Sequence, residues 1–363
     1  MRPVVTVVGN GVAGYACARR LAELGAAPVM IGPGLPHVRP PLSKRALELG
    51  RAPLLADQRS LVAQGIHHVD GMVDELDLRR RTLTITPAGG GNPMHRSFDR
   101  LVWATGLRPV APPVPGIALA HDNSTAAGML ALAAAAKSAK DVVVIGAGLI
   151  GCETAATLAG RHRVTLLDRA HAPVERLGAT LSRVVGDALR DVGVRFLGGC
   201  TIRAVSDGGV ETASHGHLPC DATVVAAGVR STVPPALGDR HIDVDQRLRA
   251  IGLNGVWACG DVTRFPHPRY GRMVVPHWDN ARAGGHHVAE SVMGSAKPYI
   301  REPYWFSDIG ALRVQQLGLA EAAVDWRQDA GMHIGVDSEG RPTCVLLIDA
   351  PRMLLAARSL LAA

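Results

Sequence analysis

Gly9-Asn10-Gly11-Val12-Ala13-Gly14, directly behind the β-branched run Val4–Val8, is one half of the pattern that decides the fold. Gly146-Ala147-Gly148-Leu149-Ile150-Gly151, behind Val142–Ile145, is the other half. Each stretch opens an Ala-rich segment, so each reads as strand, glycine turn and helix. In that order backbone N–H groups and a helix N-terminus can hold a pyrophosphate. One such stretch is weak evidence; two in one chain imply two bound dinucleotides and a redox relay between them.

The two fingerprints differ in the strand end that lies beyond each helix. A carboxylate about 20 residues on ordinarily takes the adenosine ribose hydroxyls. The second has one, because Val164-Thr165-Leu166-Leu167 ends in Asp168. An acid there bonds the 2′-hydroxyl and repels a 2′-phosphate, which favours NADH over NADPH, although Arg169 stands beside it. The first has none: its second strand ends Met30-Ile31-Gly32-Pro33, so its ribose must be recognised in another way or the nucleotide is held less tightly.

The remaining punctuation divides the chain into three parts. In the first part, helix one runs to about Leu24 and strand two covers Ala27 to Gly32. Helical stretches Leu42–Leu49 and Asp57–Gln64 and a hairpin-like pair, Val69–Asp77 with Arg81–Thr86, come next. Leu101–Ala104 reads as a buried strand ending at Thr105-Gly106, and Pro109 to Pro115 as a linker. The second part repeats the logic, with helices Thr125–Ala139 and Ala179–Val192 and a closing strand Ala222–Ala227 before Gly228. Val256–Cys259 forms another buried strand, closed by Gly260-Asp261, and Asp279–Met293 is helical. The expected domains are residues 1–115 with 242–300, then 116–241, then a small C-terminal unit, 301–363, ending on an amphipathic helix near Ala350–Ala362.

Composition sets limits. The 363 residues, 47% hydrophobic and 20% charged, suit an ordinary globular protein, and no apolar run reaches the roughly 18 residues of a membrane span. A reducing cytoplasm is the expected location. The net charge of +7 fits either an acidic partner or simple solubility, and its scattered basic residues, almost all arginine, argue against a nucleic-acid tail. Six cysteines, Cys17, Cys152, Cys200, Cys220, Cys259 and Cys344, form no Cys-x-x-Cys pair, so neither a disulfide framework nor a zinc ribbon fits. The pairs His67-His68 and His286-His287 are adjacent and point apart, which also speaks against a metal site.

Five further stretches occur in an informative order: Arg39-Pro40-Pro41-Leu42-Ser43-Lys44, Ala104-Thr105-Gly106, Gly148-Leu149-Ile150-Gly151-Cys152-Glu153, Cys259-Gly260-Asp261 and Pro303-Tyr304-Trp305-Phe306-Ser307-Asp308. With them the chain resembles the FAD- and NADH-dependent ferredoxin reductases, of the putidaredoxin reductase and dioxygenase-reductase type, from about residue 4 to 358. The resemblance implies an α/β fold with two Rossmann-like, glutathione-reductase-like nucleotide domains and a C-terminal α+β domain.

The resemblance also implies roles. FAD would lie on Gly9, Gly11, Val12, Ala13 and Gly14, with Arg39, Val73, Ala104, Thr105, Gly106, Gly260, Asp261, Trp278 and Phe306. NAD would lie on Gly146, Gly148, Leu149, Ile150, Gly151, Glu153, Asp168 and Gly228. Lys44 looks like the lysine near flavin N5, and Glu153 like its carboxylate partner; a cation there stabilises charge on the reduced ring. Phe306 stands where the family usually has tryptophan, keeping the ring and losing the indole N–H donor.

No cysteine lies between Cys17 and Cys152, and Ser43 stands where related disulfide reductases carry a thiol, so a thiol relay is not expected. The acceptor implied is an acidic [2Fe–2S] ferredoxin serving a cytochrome P450 or a ring-hydroxylating dioxygenase. The alternatives are direct reduction of a small molecule or O₂, and a binding or sensing role. Monomer and homodimer both stay open.

Overall fold

The computed structural model describes residues 4–38, 40–123, 125–231 and 233–362, which fall into two compact units. One unit comprises residues 1–38, 53–108 and 230–302; the other comprises 39–52, 109–229 and 303–363.

The first unit is organised by β1 (Val4–Val8), α1 (Val12–Glu23), β2 (Ala27–Ile31) and β3 (His67–Val69). Its parallel sheet runs Val256–Ala258, Leu101–Trp103, β1, β2, β3. The central strands read as nearly continuous apolar runs, interrupted in β1 only by the buried Thr6, because both faces are covered, and Val5, Val7 and Leu101 are fully buried. Helix Trp278–Val292 packs against α1 at a glycine: a Cβ on Gly285 would lie 2.3 Å from Ala13 O. Where a single strand over Val69–Asp77 was expected, the chain makes two. β3 stays in the parallel sheet, and Gly71–Asp77 starts an antiparallel meander with Thr82–Pro87 and Met94–Ser97. Asp70 alone separates them.

The second unit repeats the plan, with parallel order Arg195–Leu197, Arg163–Leu167, Asp141–Ile145, Ala222–Val225, His121–Asp122. Its core also takes in Leu42, Ala46 and Leu47 from the short helix Arg45–Leu49 and the turn before it, packed with Met129 and Leu132. Ile309, Leu312 and Val314 of the C-terminal sheet join the same core. That sheet is antiparallel, ordered Tyr304–Ile309, Leu312–Gly318, Pro342–Ile348, Met332–Val336, Asp325–Asp329, and helix Leu354–Ala362 packs on it. The architecture is therefore α/β with two Rossmann-like domains and a C-terminal α+β domain. Helix Ala126–Ala136 is three residues shorter at its end than its composition suggests, and the C-terminal helix begins only after the 3₁₀ turn Pro351–Met353.

One surface network of the first unit carries a pH prediction. Asp243 accepts both Arg264 Nε and Nη2, at 2.7 and 2.6 Å, and also Arg272 Nη2 at 2.9 Å. The Arg264 guanidinium leads in holding its carboxyl down to about 2. A depressed carboxyl stabilises the fold above its unfolded pKa of about 3.9, and that contribution fades as pH falls through the folded value. The group is substantially exposed, so the gain is about 1 kcal/mol or less. Asp243→Asn is expected to lower the melting temperature near about pH 6 and to lower it much less near about pH 2. Equal losses at both would assign the network no charge-dependent role.

Candidate active site

In the first unit, Gly9 has φ +110°, and a Cβ there would lie 2.2 Å from Ala104 O, so only glycine lets the loop pass the Ala104-Thr105 turn. A Cβ on Gly14 would lie 1.8 Å from Gly9 O, whereas one on Gly11 would meet nothing within 4 Å. Closed inside and open outside, the loop has room for a ligand against its backbone. α1 starts at Val12 with neither a capping side chain nor an acid in its first turn, leaving its N–H groups for an anion.

The structure also places the other first-unit residues expected to hold FAD. Val12 and Ala13 are buried in the first turn of α1, and Ala104 N donates to Val8 O at the sheet edge. Gly106, with φ +69°, ends that turn. Gly260, with φ +79°, precedes Asp261 and packs on Ala13. Val73 lies on the meander, paired with Ile85. Thr105 Oγ1 and Trp278 Nε1 are shielded from solvent with no partner among the described residues. The orphaned Thr105 hydroxyl follows the Ala104 carbonyl that the Gly9 loop passes, which fits a cofactor there that supplies its missing partner. Arg39 lies outside the described residues.

The missing ribose acid has left its mark on the same edge. Asn10 Nδ2 donates to Pro33 O at 3.0 Å and to Gly34 O at 2.6 Å, and a Cβ on Gly32 would strike the Asn10 side chain. Neither this anchoring of the strand end nor Asp70, whose Oδ1 accepts from Gly34 N at 2.8 Å, was read from the sequence.

In the second unit the glycine loop repeats the geometry. Gly146 has φ +105° with Ala226 O 2.4 Å from its virtual Cβ; Gly151 would place a Cβ 1.8 Å from Gly146 O; Gly148 faces open space. Leu149 and Ile150 open the helix Leu149–Ala159, which again lacks a capping side chain. Asp168 stands at the strand end as expected. Its Oδ2 accepts Ala147 N at 2.5 Å and its Oδ1 accepts Ala170 N at 2.8 Å, so it braces the glycine loop. Gly228, with φ +120°, lies beyond the Ala222–Val225 strand, and its carbonyl accepts Val110 N.

Glu153, one turn into that helix, is buried at 7% exposure. Ser43 Oγ donates to its Oε2 and Ser307 Oγ to its Oε1, both at 2.5 Å, and Lys44 Nζ lies 3.1 Å from Oε1. Lys44 also reaches Asp308 Oδ2 at 3.4 Å, and Arg313 Nε reaches Asp308 Oδ1 at 3.0 Å. The result is an alternating row of charge from a buried carboxylate out to an exposed arginine. A carboxylate this deep would be costly alone; two hydroxyl donors and an ammonium offset its lost hydration. Thr157 Oγ1 donates to Ser43 O at 2.9 Å and ties the 3₁₀ turn Pro40–Ser43 to the helix. Phe306 lies with its ring centroid 6.0 Å from Lys44 Nζ. Of the predicted residues, Lys44, Glu153 and Phe306 are thus gathered; Ser43, Ser307 and Asp308 complete the cluster, and only their membership of quoted motifs hinted at it.

All six cysteines are buried. Burial pushes the Cys259 thiol up to about 12 and raises Cys17 and Cys152 well above the usual thiol range as well, so none of these three is a thiolate near neutrality. Among the described residues no group of His, Cys, Asp or Glu could hold a metal ion, and no helix is long and apolar enough to cross a membrane.

Residues 3–285 match the pyridine nucleotide-disulphide oxidoreductase family. The chain belongs to that family. It is an FAD-dependent oxidoreductase whose relatives include ferredoxin reductases. It is 34% identical to an NADH dehydrogenase-like protein of Mycobacterium tuberculosis, over 71% of this chain and 72% of that one. Rhodocoxin reductase of Rhodococcus erythropolis is 29% identical over 99% of this chain and 89% of its own length. Among solved structures, the ferredoxin reductase for the CYP199A2 system of Rhodopseudomonas palustris superposes with a TM-score of 0.87 at 27% identity, covering 96% of this chain and 91% of that one.

Proposed function

We propose that this family member takes a hydride from NADH onto FAD and passes the electrons to an acidic [2Fe–2S] ferredoxin serving a cytochrome P450 or a ring-hydroxylating dioxygenase. The Lys44–Glu153 cluster carries the reading. Bound FAD supplies the two-electron to one-electron conversion that such a relay needs. The first glycine loop and α1 hold its pyrophosphate, the second loop holds that of NADH, and Asp168 favours NADH over NADPH by repelling a 2′-phosphate.

Ser43 and Ser307 each donate to one oxygen of Glu153, an arrangement that suits a carboxylate. The carboxylate in turn fixes the Lys44 ammonium, and in the role the family resemblance implies that positive charge would stabilise charge gathering on a reduced flavin. The +7 net charge supports docking of an acidic carrier. The names of two relatives, a rhodocoxin reductase and a ferredoxin reductase for a CYP system, support the same acceptor class.

The mycobacterial relative, named NADH dehydrogenase-like, favours a second reading in which a small molecule or O₂ accepts the electrons directly. Absorbance near about 450 nm and stopped-flow mixing separate the two. The proposed chain carries flavin, is bleached by NADH, and is reoxidised by a [2Fe–2S] ferredoxin at an ordinary enzymatic rate, on the order of 1–10³ per second. Rapid reoxidation by O₂ or a metabolite, with no ferredoxin able to compete, would replace the first reading by the second.

A further inference from the structure

The first fingerprint lacks the acid that ordinarily meets the adenosine ribose, and the sheet register shows where another carboxylate has come to stand. β2 and β3 run parallel with Ile31 opposite Val69, so the next residues on each strand, Gly32 and Asp70, leave the carboxyl edge of the sheet together. β3 stops there, and the meander strand begins at Gly71. Asp70 is thereby placed at the sheet edge one strand over from the expected position, exposed to solvent.

The backbone at the end of β2 is already committed. Gly32 N donates to Val69 O, and His68 Nε2 lies 3.1 Å from Gly32 O. Pro33 has no N–H, Gly34 N donates to Asp70 Oδ1, and Asn10 holds the carbonyls of Pro33 and Gly34. No backbone donor of Gly32, Pro33 or Gly34 remains for a ligand. What remains is an acceptor: Gly34 N–H takes one oxygen of Asp70, and no other described residue donates to that carboxylate. The bond also fixes its orientation, because Gly34 turns the loop with φ +62°.

We propose that Asp70 is the ribose-binding acid of the FAD site, its free oxygen accepting the vicinal hydroxyls of the adenosine ribose, with Asn10 holding the turn that presents it. This rests on the reading that the first fingerprint takes FAD. A charged acceptor facing a diol discriminates strongly against its loss, since hydrogen bonds to charged groups are the stronger ones.

The test measures FAD binding to the deflavinated chain by flavin fluorescence. It compares FAD with an analogue carrying 2′,3′-dideoxyadenosine. Asp70→Asn keeps an oxygen for Gly34 N–H and removes the charge. It is expected to weaken FAD about 10- to 100-fold and to leave the analogue's affinity nearly unchanged. The unmutated chain should bind the analogue about as weakly as Asp70→Asn binds FAD, a comparison that needs no variant to fold. Equal losses with FAD and analogue, or no loss with either, would overturn the assignment and leave Asp70 a loop residue only. If the unmutated chain binds no FAD, the cofactor reading itself falls and takes this inference with it.

Discussion

A Gly151→Ala chain is expected to keep its flavin and to lose reduction by NADH at ordinary concentrations. The added Cβ would sit 1.8 Å from Gly146 O, and its neighbour is backbone that no side-chain rotation can clear. The loop must open, which withdraws the helix N-terminus from the pyrophosphate. Loss of two charge-assisted hydrogen bonds at roughly 1.5 kcal/mol each weakens NADH about 100-fold or more. The strain also destabilises the unit, so Gly148→Ala is the informative companion. There the backbone is extended and the Cβ meets nothing within 4 Å, so the chain should melt as before while NADH binding still weakens, because the methyl fills the space the ligand needs. Stopped-flow flavin reduction against NADH concentration reads both variants. Unchanged saturation in Gly148→Ala would show that the nucleotide does not approach the second loop.

Glu153→Ala is expected to have the second large effect, on chemistry and stability together. It leaves Ser43 and Ser307 without their acceptor and Lys44 with Asp308 alone. Removing one partner of a buried pair costs about 3 kcal/mol, visible as a lower melting temperature. With its main anchor gone, Lys44 drifts toward Asp308, and flavin reduction at saturating NADH should slow about 10²-fold, the usual cost of losing one aligned electrostatic group. Glu153→Gln preserves the shape and one acceptor oxygen, so it should recover most of the stability and little of the rate. A rate equal to that of the unmutated chain in Glu153→Gln would remove the carboxylate charge from the mechanism and reduce Glu153 to a packing residue.

Both fingerprints were legible because they are local. A positive φ at Gly9 and Gly146, a close approach at Gly14 and Gly151, and a helix start without a capping side chain all arise within about six consecutive residues. The same is true of Asp168, whose distance from Gly146 is set by one helix and one strand. Lys44 and Glu153 stood out for the motifs around them, but nothing local says that their side chains meet. The split at Asp70 escaped the pattern, because no local break in Val69–Asp77 marks it; the strand is divided by pairing with two different sheets.

That the chain winds two glycine-turned dinucleotide folds is dictated by the residue order alone, because turn geometry and helix N-termini are decided within a few residues. Which side chains serve those folds is settled only by tertiary packing. Ser43, Lys44, Glu153, Ser307 and Asp308 come together through a shared core, and Asn10, Gly34 and Asp70 through the register of parallel strands. Such meetings depend on packing between segments far apart in the chain, which no local pattern encodes. The loss of an acid at Pro33 is written in the sequence; the carboxylate proposed to replace it is visible only where β2 and β3 end side by side.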